Sequence, residues 1–121
     1  MILLRRIEID IQGFGRAIAE LDGRNPRTSE AVWDALPIEG RVMLWGEEVY
    51  FGTSLICEDE NPSSSATAGD ISYWVPGHAI CIFFGRTQPY SPVNHIGRVS
   101  EGLGIFTSVK EGAEIVLRRA E

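Results

Sequence analysis

Apolar and polar residues alternate in short runs along most of this chain. Over residues 3–11, Ile7, Ile9 and Ile11 share one face and Arg6, Glu8 and Asp10 the other, the period of two that marks a half-buried strand. Gly13 and Gly15 punctuate a turn, and Arg16 to Leu21 returns as a second strand, with either Ala17, Ala19 and Leu21 or Ile18 turned inward. Asn25-Pro26-Arg27-Thr28-Ser29-Glu30 opens a helix. Asn25 or Thr28 can cap it, Pro26 suits a first helical position, and Glu30 suits the positive end of the dipole. Val32 and Leu36, flanked by Ala31 and Ala35, give this helix an apolar face, and Pro37 ends it at Leu36.

Arg41 to Trp45 and Glu47 to Phe51 read as strands broken at Gly46, the second with Val49 and Phe51 on one face and Glu48 and Tyr50 on the other. Residues 58–69 are the most polar stretch and read as a flexible excursion within one domain. Gly69 to Thr87 holds two strand-like runs joined by a Pro76-Gly77 turn. A Pro-bearing loop (Gln88 to Val93), a strand around Asn94 to Ser100, a Gly-rich turn or short helix (Glu101 to Lys110) and a last strand (Ala113 to Arg119) complete the chain. Many short strands with few helices predict a mainly β fold, a barrel or a sandwich. A closed barrel removes the edge hazard of such apolar strands. At about eight strands its interior is filled by side chains, which leaves the outer surface or a mouth for any site.

Composition narrows the function classes. The chain has 121 residues, 44% of them hydrophobic, with 13 glycines and 6 prolines, as suits a single domain (residues 1–121) rich in turns. Its formal net charge of −6 disfavours nucleic acid. No apolar run approaches the ~20 residues of a membrane span, and the opening residues do not read as a signal peptide, so the expected location is cytoplasmic. Arg5, Arg6, Arg118 and Arg119 would gather if the terminal strands pair, as solvated charges or as a basic patch that Glu121 would weaken. Cys57 and Cys81 fit neither a zinc framework nor a disulfide scaffold. His78 and His95 lack partners at metal-ligand spacing, and Ser63-Ser64-Ser65 lies outside any nucleophile elbow. Neither a metal nor a cofactor is expected.

Three features bear on chemistry. Glu47-Glu48 is a carboxylate pair flanked by aromatics, and on a strand only one of the two can enter a pocket. Tyr73, Trp74, Phe83 and Phe84 crowd one hairpin, where alternation sends one of each pair to the core and leaves the other for a stacking surface. Gly85-Arg86-Thr87 either binds an anion or closes a strand.

The segment Gly69-Asp70-Ile71-Ser72-Tyr73-Trp74-Val75-Pro76-Gly77 with Ile80-Cys81-Ile82-Phe83-Phe84-Gly85-Arg86-Thr87 resembles the signature of the small prokaryotic cyclophilin-like proteins, a family of unknown function. Trp45-Gly46-Glu47-Glu48-Val49-Tyr50-Phe51 resembles its upstream signature. Asn94-His95-Ile96-Gly97-Arg98-Val99 with Glu101-Gly102-Leu103 resembles that family and the late strand of true cyclophilins. The resemblance implies a closed antiparallel cyclophilin-like barrel with one or two helices. It does not imply prolyl isomerase activity. True cyclophilins place an arginine against the prolyl nitrogen from a Phe-His-Arg strand, and the corresponding Gly46 to Phe51 holds none. Arg41 and Arg86 are the remaining guanidinium candidates.

The expectation is therefore a barrel that binds a small molecule or a proline-containing peptide through Trp45, Glu47, Tyr50, Tyr73, Phe83 and Arg86, as a monomer or homodimer. The alternatives are a weak prolyl isomerase or other small enzyme using Glu47 or Glu48, and an interaction module that dimerises through an exposed aromatic patch.

Overall fold

The computed structural model describes residues 4–120; the expected strand start at residue 3 and the contribution of Glu121 lie outside the described residues. Nine strands build one antiparallel sheet: β1 (Arg6–Ile11), β2 (Gly15–Leu21), β3 (Ile38–Arg41), β4 (Met43–Trp45), β5 (Glu48–Gly52), β6 (Asp70–Trp74), β7 (Ala79–Phe83), β8 (Asn94–Glu101) and β9 (Glu114–Arg119). One α-helix, α1 (Pro26–Ala35), and a 3₁₀ segment, Leu103–Ser108, accompany them. No helix among the described residues is long and apolar enough to cross a membrane.

The strands lie in the order β3-β9-β1-β2-β8-β6-β7-β5-β4. Its two end strands, β3 and β4, are separated in sequence by Val42 alone. Consecutive Cα atoms are about 3.8 Å apart, so two such steps bring the ends of the sheet together and the barrel closes through a single linking residue. Val42 seals the seam: it is buried, its N–H donates to the Ala113 carbonyl, and its own carbonyl accepts from Gly112. The run Arg41 to Trp45, expected as one strand, is thus the corner at which the chain leaves one edge for the other.

Alternation fills the interior. Ile7, Ile9 and Ile11 of β1, Val49 and Phe51 of β5, and Ile80 and Ile82 of β7 are buried in one core. In β2 it is Ala17, Ala19 and Leu21 that turn inward, with Ile18 half-buried on the other face. β8 crosses β2 so closely that a Cβ on Gly97 would run into the Glu20 carbonyl oxygen. The arginines of the two ends are paired: Arg5 with Glu30, Arg6 with Glu101, Arg118 with Glu8 and Asp10, and Arg119 with Asp34. They form an ion-pair lattice and not a basic patch.

Helix α1 departs from its expected design. Its buried residues are Thr28, Ser29 and Val32, so two of the three are polar. Asn25 holds the N-cap position without a side-chain cap bond. The cap comes from Glu60, whose carboxylate accepts the N–H groups of Arg27 (3.0 Å) and Thr28 (2.9 Å) and the Thr28 hydroxyl (2.9 Å). Asn25 is used elsewhere: its amide donates to the His95 carbonyl (2.8 Å) and accepts from Asn61 N–H (2.6 Å). Asn94 accepts from Glu60 N–H (3.1 Å) and donates to the Glu58 carbonyl (2.9 Å). The polar excursion over residues 58–69 is therefore stitched to the helix and to β8.

Burial alone would raise the Glu60 carboxyl, but the Arg27 and Thr28 donors outweigh it and hold it below its ordinary value. A depressed carboxyl contributes stability above its unfolded value, about pH 4.3, and loses it as pH falls through the folded value. Glu60→Ala should lower the thermal midpoint at pH 7, and the deficit should shrink in acid; an equal deficit at both pH values would contradict the capping role. Gly97→Ala should cost about 2 kcal/mol or more in denaturant unfolding, because backbone must move to admit the methyl.

Candidate functional site

The filled interior moves any site to the outside of the barrel, and one sector of the wall is unusual there. On β1 the outward residues are polar and only partly buried, as a solvated face should be. On β7 both faces are apolar, and on β6 and β5 the outward face is largely buried too, with Asp70, Ser72 and Trp74 on β6 and Glu48 and Tyr50 on β5. Every residue of β7 is buried, with Ile80 and Ile82 facing in and Cys81 and Phe83 facing out. Trp74 of β6 and Tyr50 of β5 flank this outer cluster.

Two returning segments cover it. Ser63 pairs with Val93 as an isolated antiparallel bridge, and Val93 is buried against Cys81 and Phe83. Thr67 N–H donates to buried Asp70 (2.8 Å), which also accepts from Arg24 and Arg98 (3.1 Å each). The Ser65 carbonyl lies 2.7 Å from His95 Nε2, and Ser72 Oγ lies 2.6 Å from His95 Nδ1. Because a carbonyl only accepts, Nε2 is the donor to Ser65. Ser72 is fully buried, so this pair serves to anchor the cover. No group of three or more His, Cys, Asp or Glu among the described residues is placed to hold a metal.

Where the cover stops, a cleft of about 200 Å³ opens, lined by Trp45, Glu48, Tyr50, Trp74, Pro89, Tyr90 and Val93. Tyr90 stands edge-on to Trp45 (centroids 5.6 Å apart, planes at 87°) and to Trp74 (6.1 Å, 85°). Trp45 and Tyr90 form its open rim, 48% and 74% exposed. Trp74 is held on two sides. Its indole N–H donates to Ser91 Oγ (2.7 Å), and Gly77 packs on the ring so closely that a Cβ there would strike it. The Pro-Gly turn of the hairpin therefore sets one wall of the cleft.

Glu48 is the carboxyl of this cleft. It pairs across the hairpin with Trp45 and across β7 with Phe83, and it is only 6% exposed. Among the described residues no basic side chain lines the cleft. Burial raises the Glu48 carboxyl above its ordinary value, and hydrogen bonding by the Cys81 thiol opposes this only in part. The Cys81 thiol is itself pushed well up, by burial first and then by the neighbouring carboxylate, which keeps it protonated and unreactive.

The residues expected from the sequence are dispersed. Trp45 and Tyr50 line the cleft, and Phe83 lies buried beneath it with Cys81 and Val93. Tyr73 points into the barrel, where its hydroxyl donates to the Leu55 carbonyl (2.6 Å). Glu47 sits in the two-residue turn between β4 and β5, its carboxylate over Gly85 and accepting Arg86 N–H (2.8 Å). The Glu47 N–H donates to Thr87 Oγ1 (2.7 Å) and its carbonyl accepts from Phe84 N–H (2.9 Å). Gly85-Arg86-Thr87 thus closes a strand by stapling two turns together, and the Arg86 side chain is exposed. Arg41 pairs with Glu114. Sequence reasoning kept Glu48 as the alternative to Glu47 and Trp74 as the alternative to Tyr73, and it left out Pro89, Tyr90 and Val93. The period of two carried a signal for Glu48, which shares a face with Tyr50; nothing in the pattern marked Tyr90, a loop residue.

A carboxyl whose folded value lies above its unfolded one is protonated in both states below about pH 4 and costs stability as pH rises from there through the folded value. Glu48→Gln should therefore raise the thermal midpoint at pH 7 by a few degrees, and the gain should vanish towards pH 4. A midpoint at pH 7 that is unchanged or lower would contradict the burial of an unpaired charge.

Comparison with solved structures places this geometry among known folds. The hypothetical protein AF2241 from Archaeoglobus fulgidus is similar at 35% identity and a TM-score of 0.81, over 97% of this chain and 95% of that one. McbB, solved in complex with tryptophan, shares the fold at 20% identity and a TM-score of 0.79, over 93% of this chain and 44% of that one. No curated protein matches. The cyclophilin-like family model matches residues 5–118. The chain belongs to the cyclophilin-like family.

Proposed function

We propose that this protein is a small-molecule binder whose site is the cleft walled by Trp45, Tyr50, Trp74 and Tyr90, with Glu48 as its polar anchor, and that it does not isomerise prolyl bonds. The observation that carries this reading is an almost buried carboxyl, without a basic partner, on the floor of an otherwise apolar aromatic cleft. An unpaired buried charge is costly, and exposed indole and phenol rings forgo burial. A ring-bearing ligand that also carries a hydrogen-bond donor relieves both. The tryptophan of the McbB complex is a ligand of that description. The wall is also pre-formed, since Trp74 is fixed by Ser91 and Gly77, and a site already in its bound shape loses less on binding.

The charge of the cleft argues against isomerisation. Weakening an amide whose rotational barrier is about 18–20 kcal/mol calls for a donor at the prolyl nitrogen. Glu48 offers the opposite polarity when ionised, and neither Arg41 nor Arg86 lines the cleft.

Thermal-shift screening with a panel of small ring-bearing metabolites and proline peptides tests the binding claim. A ligand at a hundred times its dissociation constant adds about 2.7 kcal/mol, and Trp74→Ala should abolish the shift while the variant stays folded. A panel that moves nothing, or a shift that survives Trp74→Ala, would overturn the reading. In a proline-peptide assay the wild type should match the uncatalysed rate; catalysis lost in Glu48→Gln would favour the isomerase alternative.

A further inference from the structure

Resting on that reading of the cleft, we infer that its ligand is a small arylalkylamine, with a planar ring against the wall of Trp45, Trp74 and Tyr90 and a protonated primary or secondary amine on Glu48. Four observations lead there. The first is hydrogen-bond supply. An ionised carboxylate only accepts, and the Cys81 thiol is a weak donor. The Trp74 N–H is already spent on Ser91. Among the described residues the Trp45 N–H and the Tyr50 and Tyr90 hydroxyls line the cleft without a hydrogen bond to Glu48, so an occupant that brings its own donor meets an open acceptor.

The second is charge. Among the described residues Glu48 is the one carboxyl lining the cleft, and no lysine, arginine or histidine lines it. An anionic ligand would be repelled, and a neutral ring would strip water from the carboxylate and give nothing back. A cation offsets that loss through a charge-assisted hydrogen bond.

The third is the wall. Trp45, Tyr50, Trp74 and Tyr90 surround the carboxyl, and aromatic faces attract a cation that has left water. Because the floor is a carboxylate and not a further ring, N–H donors are favoured over a fully alkylated ammonium.

The fourth is size. About 200 Å³ is below the roughly 300–1,000 Å³ of sites for drug-sized molecules, and it suits one ring system with a short chain.

Calorimetric titration with two matched pairs, tryptamine against tryptophol and 2-phenylethylamine against 2-phenylethanol, tests this, with 3-phenylpropionate as the anionic counterpart. The amines should bind about tenfold or more tightly than their alcohols, as expected when a charge-assisted bond replaces a neutral one. The phenylpropionate should not bind. In Glu48→Gln the amine preference should collapse while the alcohols bind as before, and in Trp74→Ala all four should weaken together. Amines and alcohols binding alike would overturn the amine assignment and leave the cleft as a ligand site. A preference that survives Glu48→Gln would overturn Glu48 as the anchor. No binding by any of the compounds at millimolar concentration would overturn the amine class, and the screening panel above then decides the cleft separately.

Discussion

The structure turns on a sheet sector that is buried on both faces. A closed barrel buries the inward side of each strand without help, but it offers nothing to the outward side. Along β5, β7 and β6 the outward residues include Tyr50, Cys81, Phe83 and Trp74, and these need a cover. The chain supplies it twice, through the segment around Ser63 to Thr67 and through Gln88 to Val93. The cleft is the part of this face that the cover leaves open, and its aromatic lining follows from the same need to bury.

Much of the remaining architecture holds that cover in place. Glu60 caps α1 while Asn25 and Asn94 bind the backbone around it. Asp70 ties Thr67 to Arg24 and Arg98, and the Ser72–His95 pair reaches the Ser65 carbonyl. Backbone polar groups of a segment lying on a protein surface must find partners, and here buried side chains of β6, β8 and α1 provide them. The signature residues have structural duties of the same kind. Gly85 and Thr87 staple their turn to Gly46 and Glu47, and Gly77 makes room for the Trp74 ring.

The fold was largely legible because strand alternation is a local property. Ile7, Ile9 and Ile11, or Val49 and Phe51, declare their face without knowledge of any partner, and the family signature supplied the closure. What the pattern lacked was long-range information. The cap on α1 comes from Glu60, more than thirty residues downstream, and no window around Asn25 contains it. The site was legible in part for the same reason. Trp45 and Tyr50 could be chosen as aromatics on strands. Choosing Glu48 over Glu47 required knowing that the tight turn at Gly46-Glu47 removes Glu47 from the strand register. Tyr90 belongs to a loop, where periodicity carries no information, and its place depends on which outer face needs covering.

The central claim is that Glu48 is a carboxyl held out of water without a charged partner, awaiting one. Its most direct test is the titration of the Glu48 side-chain carboxyl by carbon NMR in the labelled protein, alone and saturated with tryptamine. The account predicts a midpoint above that of an ordinary glutamate in the free protein and a clear fall when the amine is bound. A midpoint at or below the ordinary value in the free protein, or one that the amine leaves unmoved, would contradict it.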